Sequence, residues 1–156
     1  MEALSPSSYL APYARGCGTV EIVPGATPAA AAGFTFAPPG QYVSLLTSLT
    51  FTFVTDATVA NRSVRLEWDD GNGLIYAGEG TGAVVQASTT ARFRANLDRG
   101  AADWDSNNFL YFGLPLIYVQ PGQLFRISLT NPGAADQLSA IVMDWERFSS
   151  GAPVSD

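Results

Sequence analysis

From Leu49 to Val54 the chain reads Leu-Thr-Phe-Thr-Phe-Val. In an extended backbone Leu49, Phe51 and Phe53 then share one side, and Thr50, Thr52 and Val54 the other. A helix, with its period of about 3.6 residues, would scatter these apolar side chains around its circumference. The wider stretch Tyr42 to Thr55 is built from β-branched and aromatic residues, which suit a pleated, half-buried surface. The same alternation recurs. Val64, Leu66 and Trp68 alternate with Arg65 and Glu67, and Ala91, Phe93 and Ala95 with Arg92 and Arg94. Between Gln123 and Thr130, Phe125, Ile127 and Leu129 alternate with Arg126 and Ser128. From Leu138 to Phe148, Ile141, Met143 and Trp145 oppose Val142, Asp144 and Glu146.

Turn chemistry separates these runs: Pro38-Pro39-Gly40, Asp69 to Gly73, Pro121-Gly122 and Asn131-Pro132-Gly133. Asp69-Asp70-Gly71-Asn72-Gly73 predicts a hairpin, because Asp-Gly and Asn-Gly tolerate positive φ, with Leu74 to Ala77 as its return strand. Shorter strands are expected at Thr19 to Val23 and Phe34 to Phe36. Ala26 to Gly33 is Ala-rich, but Pro24, Pro28 and Gly33 box it in, so it reads as a loop. Gly78, Gly80 and Gly82 read as a flexible connection. Ala83 to Asn96 reads as one or two strands, Leu97 to Asn108 as a polar loop, and Phe109 to Val119 as a short strand broken by Gly113 and Pro115. About eight or nine strands, no helix and no internal repeat predict an all-β, single-domain β-sandwich of jelly-roll type. The sandwich would span residues 19–150, after an extended N-terminal arm over 1–18 and before a polar tail over 151–156.

The residue inventory narrows the chemistry. The 156 residues include no histidine and no lysine, eight arginines and one cysteine, Cys17. Ser-His-Asp and Cys-His nucleophile systems, His-ligated zinc, Schiff-base lysines and Walker-type nucleotide binding are closed to such a chain. A single cysteine forbids an internal disulfide. Charged residues make up 14%, against about 25% in an ordinary domain. A surface so poor in charge suggests cover by partner subunits. The net charge of −6 offers no footprint for nucleic acid. No run of about 18 apolar residues could cross a membrane, and Met1 to Gly16 lacks the basic-then-apolar pattern of a signal peptide.

Candidate sites are few. The acidic turn Asp69 to Gly73 could be imagined around calcium, but calcium wants six to eight oxygens, about, and Glu79 is out of register. The plain hairpin is preferred, and no metal or other cofactor is expected. Asp98, Asp103 and Asp105 could supply a glycosidase pair, which needs carboxylates about 5–9.5 Å apart, yet acids in a polar loop are ordinarily solvated. No catalytic residue is expected. Cys17, between Gly16 and Gly18, has nothing obvious to lower its pKa beyond nearby Arg15 and reads as a passive thiol. Trp68 and Trp145 read as core; Trp104, among the acids, is the one candidate for an exposed, sugar-stacking ring.

Two stretches, Leu49 to Gly73 and Leu114 to Phe148, resemble a group of small virion structural proteins of tailed bacteriophages. The shared pattern is a strand, then T-x-A-T-V-A-N-R, then a strand ending in an acidic-Gly turn. It continues with a P-G turn, a polar turn with A-x-D-Q, and a last strand ending in W-E. The matching positions include Thr55, Ala57, Thr58, Val59, Ala60, Asn61, Arg62, Pro121, Gly122, Asp136, Gln137, Trp145 and Glu146. The resemblance implies a non-enzymatic capsid decoration or cement protein on the virion, at the capsid surface in preference to the tail, bound to the major capsid protein. By analogy with surface jelly rolls it implies a homotrimer. A carbohydrate- or host-receptor-binding module of a fibre, spike or tail is the alternative, and a carboxylate glycosidase a remote third.

Two segments carry the expected contacts. Tyr9, Leu10 and Tyr13, with Pro6 and Pro12, make the arm a partner-binding segment of apolar knobs. Phe109, Tyr111, Phe112, Leu114, Ile117 and Tyr118 make Phe109 to Val119 the expected oligomer contact. Asn61 and Arg62 read as structural. Asn61 would fix the turn through left-handed geometry or a bond to its own backbone, and the five donors of Arg62 would tie loop carbonyls or a carboxylate.

Overall fold

The computed structural model of the protein describes residues 18–97, 99–100 and 102–149. Among them there is no helix. The strands are β1 (Thr19–Pro24), β2 (Phe34–Phe36), β3 (Tyr42–Val54), β4 (Ser63–Asp69), β5 (Ile75–Gly80), β6 (Thr90–Asn96), β7 (Asp103–Trp104), β8 (Phe109–Gly113), β9 (Tyr118–Val119), β10 (Leu124–Thr130) and β11 (Gln137–Ser149). They form two sheets. The larger runs β1-β11-β3-β6-β8-β7, with β9 paired to one end of β3; the smaller runs β2-β10-β4-β5. The protein is an all-β sandwich, as the alternation predicts.

The inward side chains of each sheet make one core. Leu49, Phe51, Phe53, Phe93 and Met143 of the larger sheet meet Leu66, Trp68, Phe125 and Ile127 of the smaller. Aromatic rings bridge the layers: Phe125 lies 5.5 Å from Trp68 in its own sheet and 6.0 Å, edge-on, from Trp145 in the other. Trp68 and Trp145 are both buried, as expected.

The pairing departs from simple alternation in three places. β6 and β8 run parallel, Arg92 beside Phe109 and Arg94 beside Tyr111, while the other strand pairs are antiparallel. The segment between them crosses over and lays β7 on the far side of β8, so the polar loop of the sequence reading contains a short edge strand. Secondly, β3 and β11 shift register between Ser139 and Val142 and again between Asp144 and Trp145. These bulges turn Val43, Leu45 and Phe148 away from the main core into a second small cluster, with Leu97 and Tyr118 against it. Thirdly, β5 is longer than the predicted return strand: Gly78 and Gly80 lie inside it, not in a flexible connection. β5 is an edge strand, where side-chain packing matters least, and Gly78 leaves room for the Arg65 guanidinium alongside. Upstream of β6, Val85 makes only an isolated bridge with Arg62.

Candidate functional site

Arg62 continues the inward alternation of Val64, Leu66 and Trp68, so the strand itself carries its cation to the rim of the core. It is fully buried. A buried charge must be paired and hydrogen-bonded. Its Nε donates to Asp136 Oδ2 at 2.5 Å, Nη2 to Asp56 Oδ1 at 2.5 Å, and Nη1 to the Thr58 carbonyl at 2.7 Å. Asp136, also fully buried, accepts in addition from the Asp56 N–H at 2.8 Å and the Gly133 N–H at 2.7 Å. Asp56 accepts from the N–H groups of Thr58 and Ala135. A Cβ at Gly133 would fall onto the Asp56 carboxylate, so this close approach needs glycine. Thr55 extends the clasp, its hydroxyl donating to the Gln86 carbonyl at 2.6 Å and accepting from the Thr89 N–H at 2.9 Å.

The loops after β3 and before β11 are thereby tied through one arginine. Arg62 does what its donors suggested. Asn61 does not: its φ is not positive, and Asn131 across the turn holds the left-handed geometry, φ 51°, while donating to the Asn61 carbonyl at 3.3 Å. The two stretches that carry the phage resemblance meet here, Arg62 from one and Asp136 from the other. Of the matching positions, Thr55, Thr58, Arg62 and Asp136 build this structural clasp.

The clasp makes the fold acid-sensitive. The Thr58 N–H foremost holds the Asp56 carboxyl below its usual value; burial, the next largest effect, opposes it, and the Ala135 N–H and the charge of Arg62 add to the lowering. Asp70 is lowered in the same direction by the N–H groups of Asn72 and Leu74. A carboxylate depressed in the folded state stabilises the fold above its unfolded pKa, about 3.9. That contribution is lost as pH falls through the folded value. Thermal melting followed downward from about pH 5 should therefore show a falling midpoint that steepens below about pH 4. In Asp70→Asn the acid-side fall should be shallower; an identical slope would contradict the assignment.

The acidic candidates are occupied by turns. Asp69 Oδ1 accepts from the Gly71 N–H at 2.7 Å, and Asp70 Oδ1 from Asn72 at 2.8 Å and Leu74 at 3.0 Å. With Gly71 and Gly73 at positive φ this is the expected hairpin. Asp105 Oδ1 accepts from the Asn107 and Phe109 N–H groups, closing the turn into β8. Among the described residues no three acids or cysteines converge as metal ligands. Asp98, Cys17, Tyr9, Leu10 and Tyr13 lie outside the described residues.

The expected contact segment is divided. Phe112 and Leu114 are buried in the protomer's own core, so their side chains are not on offer to a neighbour. The parallel pairing with β6 points them inward, a placement that the broken apolar run could not reveal. Ile117 packs against the same core, and Tyr118 lies 5.8 Å from Phe148 in the second cluster. Phe109 and Tyr111 face outward on the larger sheet, stacked 6.0 Å apart. Leu116, which the sequence reading did not single out, is 62% exposed.

That outer face is the most distinctive surface of the molecule. Across it one register row runs Pro24, Val142, Thr50, Arg94, Tyr111, Asp103, and a neighbouring row runs Thr52, Arg92, Phe109. The β1 end is aliphatic, with Val20 at 64% and Ile22 at 68% exposure. At the β8 end, Arg92 and Arg94 lie over the Phe109 ring at 5.2 and 5.9 Å, and Arg99 over Tyr111 at 4.3 Å. Trp104 sits on the other, inward side of the β7 edge, in register with buried Leu110, 38% exposed and with its ring edge-on to Phe93 at 6.1 Å. It borders a shallow depression with Val84, Gln86, Thr89 and Asn108.

No protein-family model matches the chain, and no curated protein matches it in sequence. Among solved structures, that of infectious bursal disease virus, Gx strain, is similar over 86% of this chain and 33% of that one, at 14% identity and a TM-score of 0.34. The structure of the Gt strain is similar over 85% and 37%, at 14% identity and a TM-score of 0.28. The chain thus spans about a third of the length of these two chains.

Proposed function

We propose that this protein is a non-enzymatic structural part of a virion, a head decoration protein of a tailed phage that binds the major capsid protein as a homotrimer. The observation that carries the reading is the outer face of the larger sheet. Aliphatic, hydroxyl, aromatic and arginine side chains lie there in ordered rows on a chain with few charges. Thr55, Thr58, Arg62 and Asp136 of the phage resemblance support it in a second way, since they serve the clasp. Histidine, lysine and a second cysteine are missing from the chemistry at hand. The arm, 1–18, is proposed as the anchor to the capsid.

The test is occupancy on particles that lack the protein. Saturable binding and a higher disruption temperature of the heads are expected, with trimers in sedimentation of the released protein. Removing residues 1–18 should lower occupancy without unfolding the sandwich. Failure to bind, or monomers both free and on the particle, would count against this reading. The carbohydrate-binding alternative has one observation in its favour: the partly exposed Trp104 borders a shallow depression that Gln86 and Asn108 also line. Under it Trp104→Ala abolishes retention on host glycans; under the decoration reading the same variant keeps full particle occupancy.

A further inference from the structure

The arginines of the described residues divide into two sets. Arg62, Arg65, Arg126 and Arg147 each pair with a carboxylate: Asp56 and Asp136, Glu67, Asp69 and Glu21. Arg92, Arg94 and Arg99 pair with none among the described residues. All three are exposed, and all three gather at the β8 end of the larger sheet's outer face. Their partners are the rings of Phe109 and Tyr111. Three like charges collected on one face of a chain of net charge −6 repel each other, and no carboxylate of the described residues forms an ion pair with any of them. A guanidinium resting on an aromatic ring keeps its N–H edge for an external acceptor, and its lost rotamer freedom is already paid for in the free protein.

We infer that this Arg92–Arg94–Arg99 platform is a docking site for an acidic, extended segment of a partner protein. The spacing selects that occupant. Arg92 and Arg94 are alternate residues of one strand, about 6.6–6.8 Å apart along it. Carboxylates at alternate positions of an extended chain repeat at the same interval, and each can take a forked pair of hydrogen bonds from one guanidinium. The platform is short. Asp103 stands next to Tyr111 in the same row, and exposed Asp105 follows. A long polyanion such as a nucleic acid would run its next phosphates into these acids, whereas a segment with two or three carboxylates ends before them. The inference rests on the architectural reading only in taking the partner to be a protein.

The experiment measures binding of a labelled peptide of alternating Glu and Ser to the full chain, at low and at physiological salt. Wild-type protein is expected to bind it, more weakly as salt rises, and to ignore the matching Gln-Ser peptide. Arg92→Gln with Arg94→Gln should weaken binding at least about tenfold, as the loss of charge-assisted hydrogen bonds requires. Arg65→Gln, which removes the same charge from the other sheet, should leave it unchanged. Circular dichroism should show all variants folded, since the substituted side chains are exposed. Equal binding of the two peptides, an unaffected double variant, or tighter binding of an oligothymidylate would each overturn the inference. Particle occupancy keeps the two ideas apart: full occupancy by a double variant that fails to bind peptide sinks this proposal alone, while absent occupancy of the wild type sinks the decoration reading alone.

Discussion

Arg62→Ala is expected to lower the melting temperature of the protein by about 6–20 °C. Removing one partner of a buried ion pair costs about 3–5 kcal/mol, because the other charge stays behind without compensation. Each kcal/mol is worth about 2–4 °C in a domain of this size. Here Asp136 would remain fully buried with only the Asp56 and Gly133 N–H groups to hold it, and the Thr58 carbonyl would lose its donor. Asp136→Asn should cost less, since an amide oxygen can still accept those two N–H bonds. The double variant should fall well short of the sum, because both single changes break the same contact. Differential scanning calorimetry on the four proteins measures the coupling. A loss under about 3 °C for Arg62→Ala would mean the clasp does not hold the loops together.

Phe93→Ala should destabilise the sandwich by about 3–5 kcal/mol, as large-to-small changes of a buried aromatic do. Phe93 is 2% exposed and stands at the centre of a ring cluster: Phe51 stacks on it at 4.5 Å, and Phe112 and Trp104 meet it edge-on at 6.4 and 6.1 Å. Its loss leaves a cavity between β3 and β8 and removes the wall against which Trp104 rests. Urea unfolding should show the lower midpoint with little change in slope, and the tryptophan emission of the folded protein should shift to the red. Phe109→Ala is the comparison. That ring lies on the outer face of the same sheet, so its removal should cost under about 1.5 kcal/mol. Equal losses for the two would mean that the outer face is as tightly packed as the core.

These two phenylalanines show how far a sequence can be followed. Both lie in apolar runs. The alternation of Phe93 with Arg92 and Arg94 marks it as inward from sequence alone, and the structure puts it there. Phe109 to Val119 has no clean alternation, since apolar residues occupy both faces and Gly113 and Pro115 interrupt it. Reading it as one contact surface joined residues that the sandwich separates: Phe112 and Leu114 inside, Phe109 and Tyr111 outside. Arg62 was legible as a structural donor because donors are few and it extends the inward set of Val64, Leu66 and Trp68. Its acceptors Asp56 and Asp136 were not legible as a pair, because they lie far apart along the chain and carboxylates in turns look alike.

What the sequence determined by itself is therefore what depends on neighbours two to five residues away. The all-β class, the hairpin at Asp69 to Gly73 and the inward faces of β3, β4, β6 and β10 follow from side-chain alternation and from turn residues that accept particular φ values. What only the tertiary structure decided depends on which strands meet. Alternation states that residues share a face, but any strand of matching pattern could lie beside it. The parallel β6–β8 pair brings Arg92 and Arg94 beside Phe109 and Tyr111, and the bulges between β3 and β11 turn Val43, Leu45 and Phe148 to the opposite side. Both are set by packing between segments distant in the chain, where the free energy belongs to the whole sandwich and to no single stretch of it.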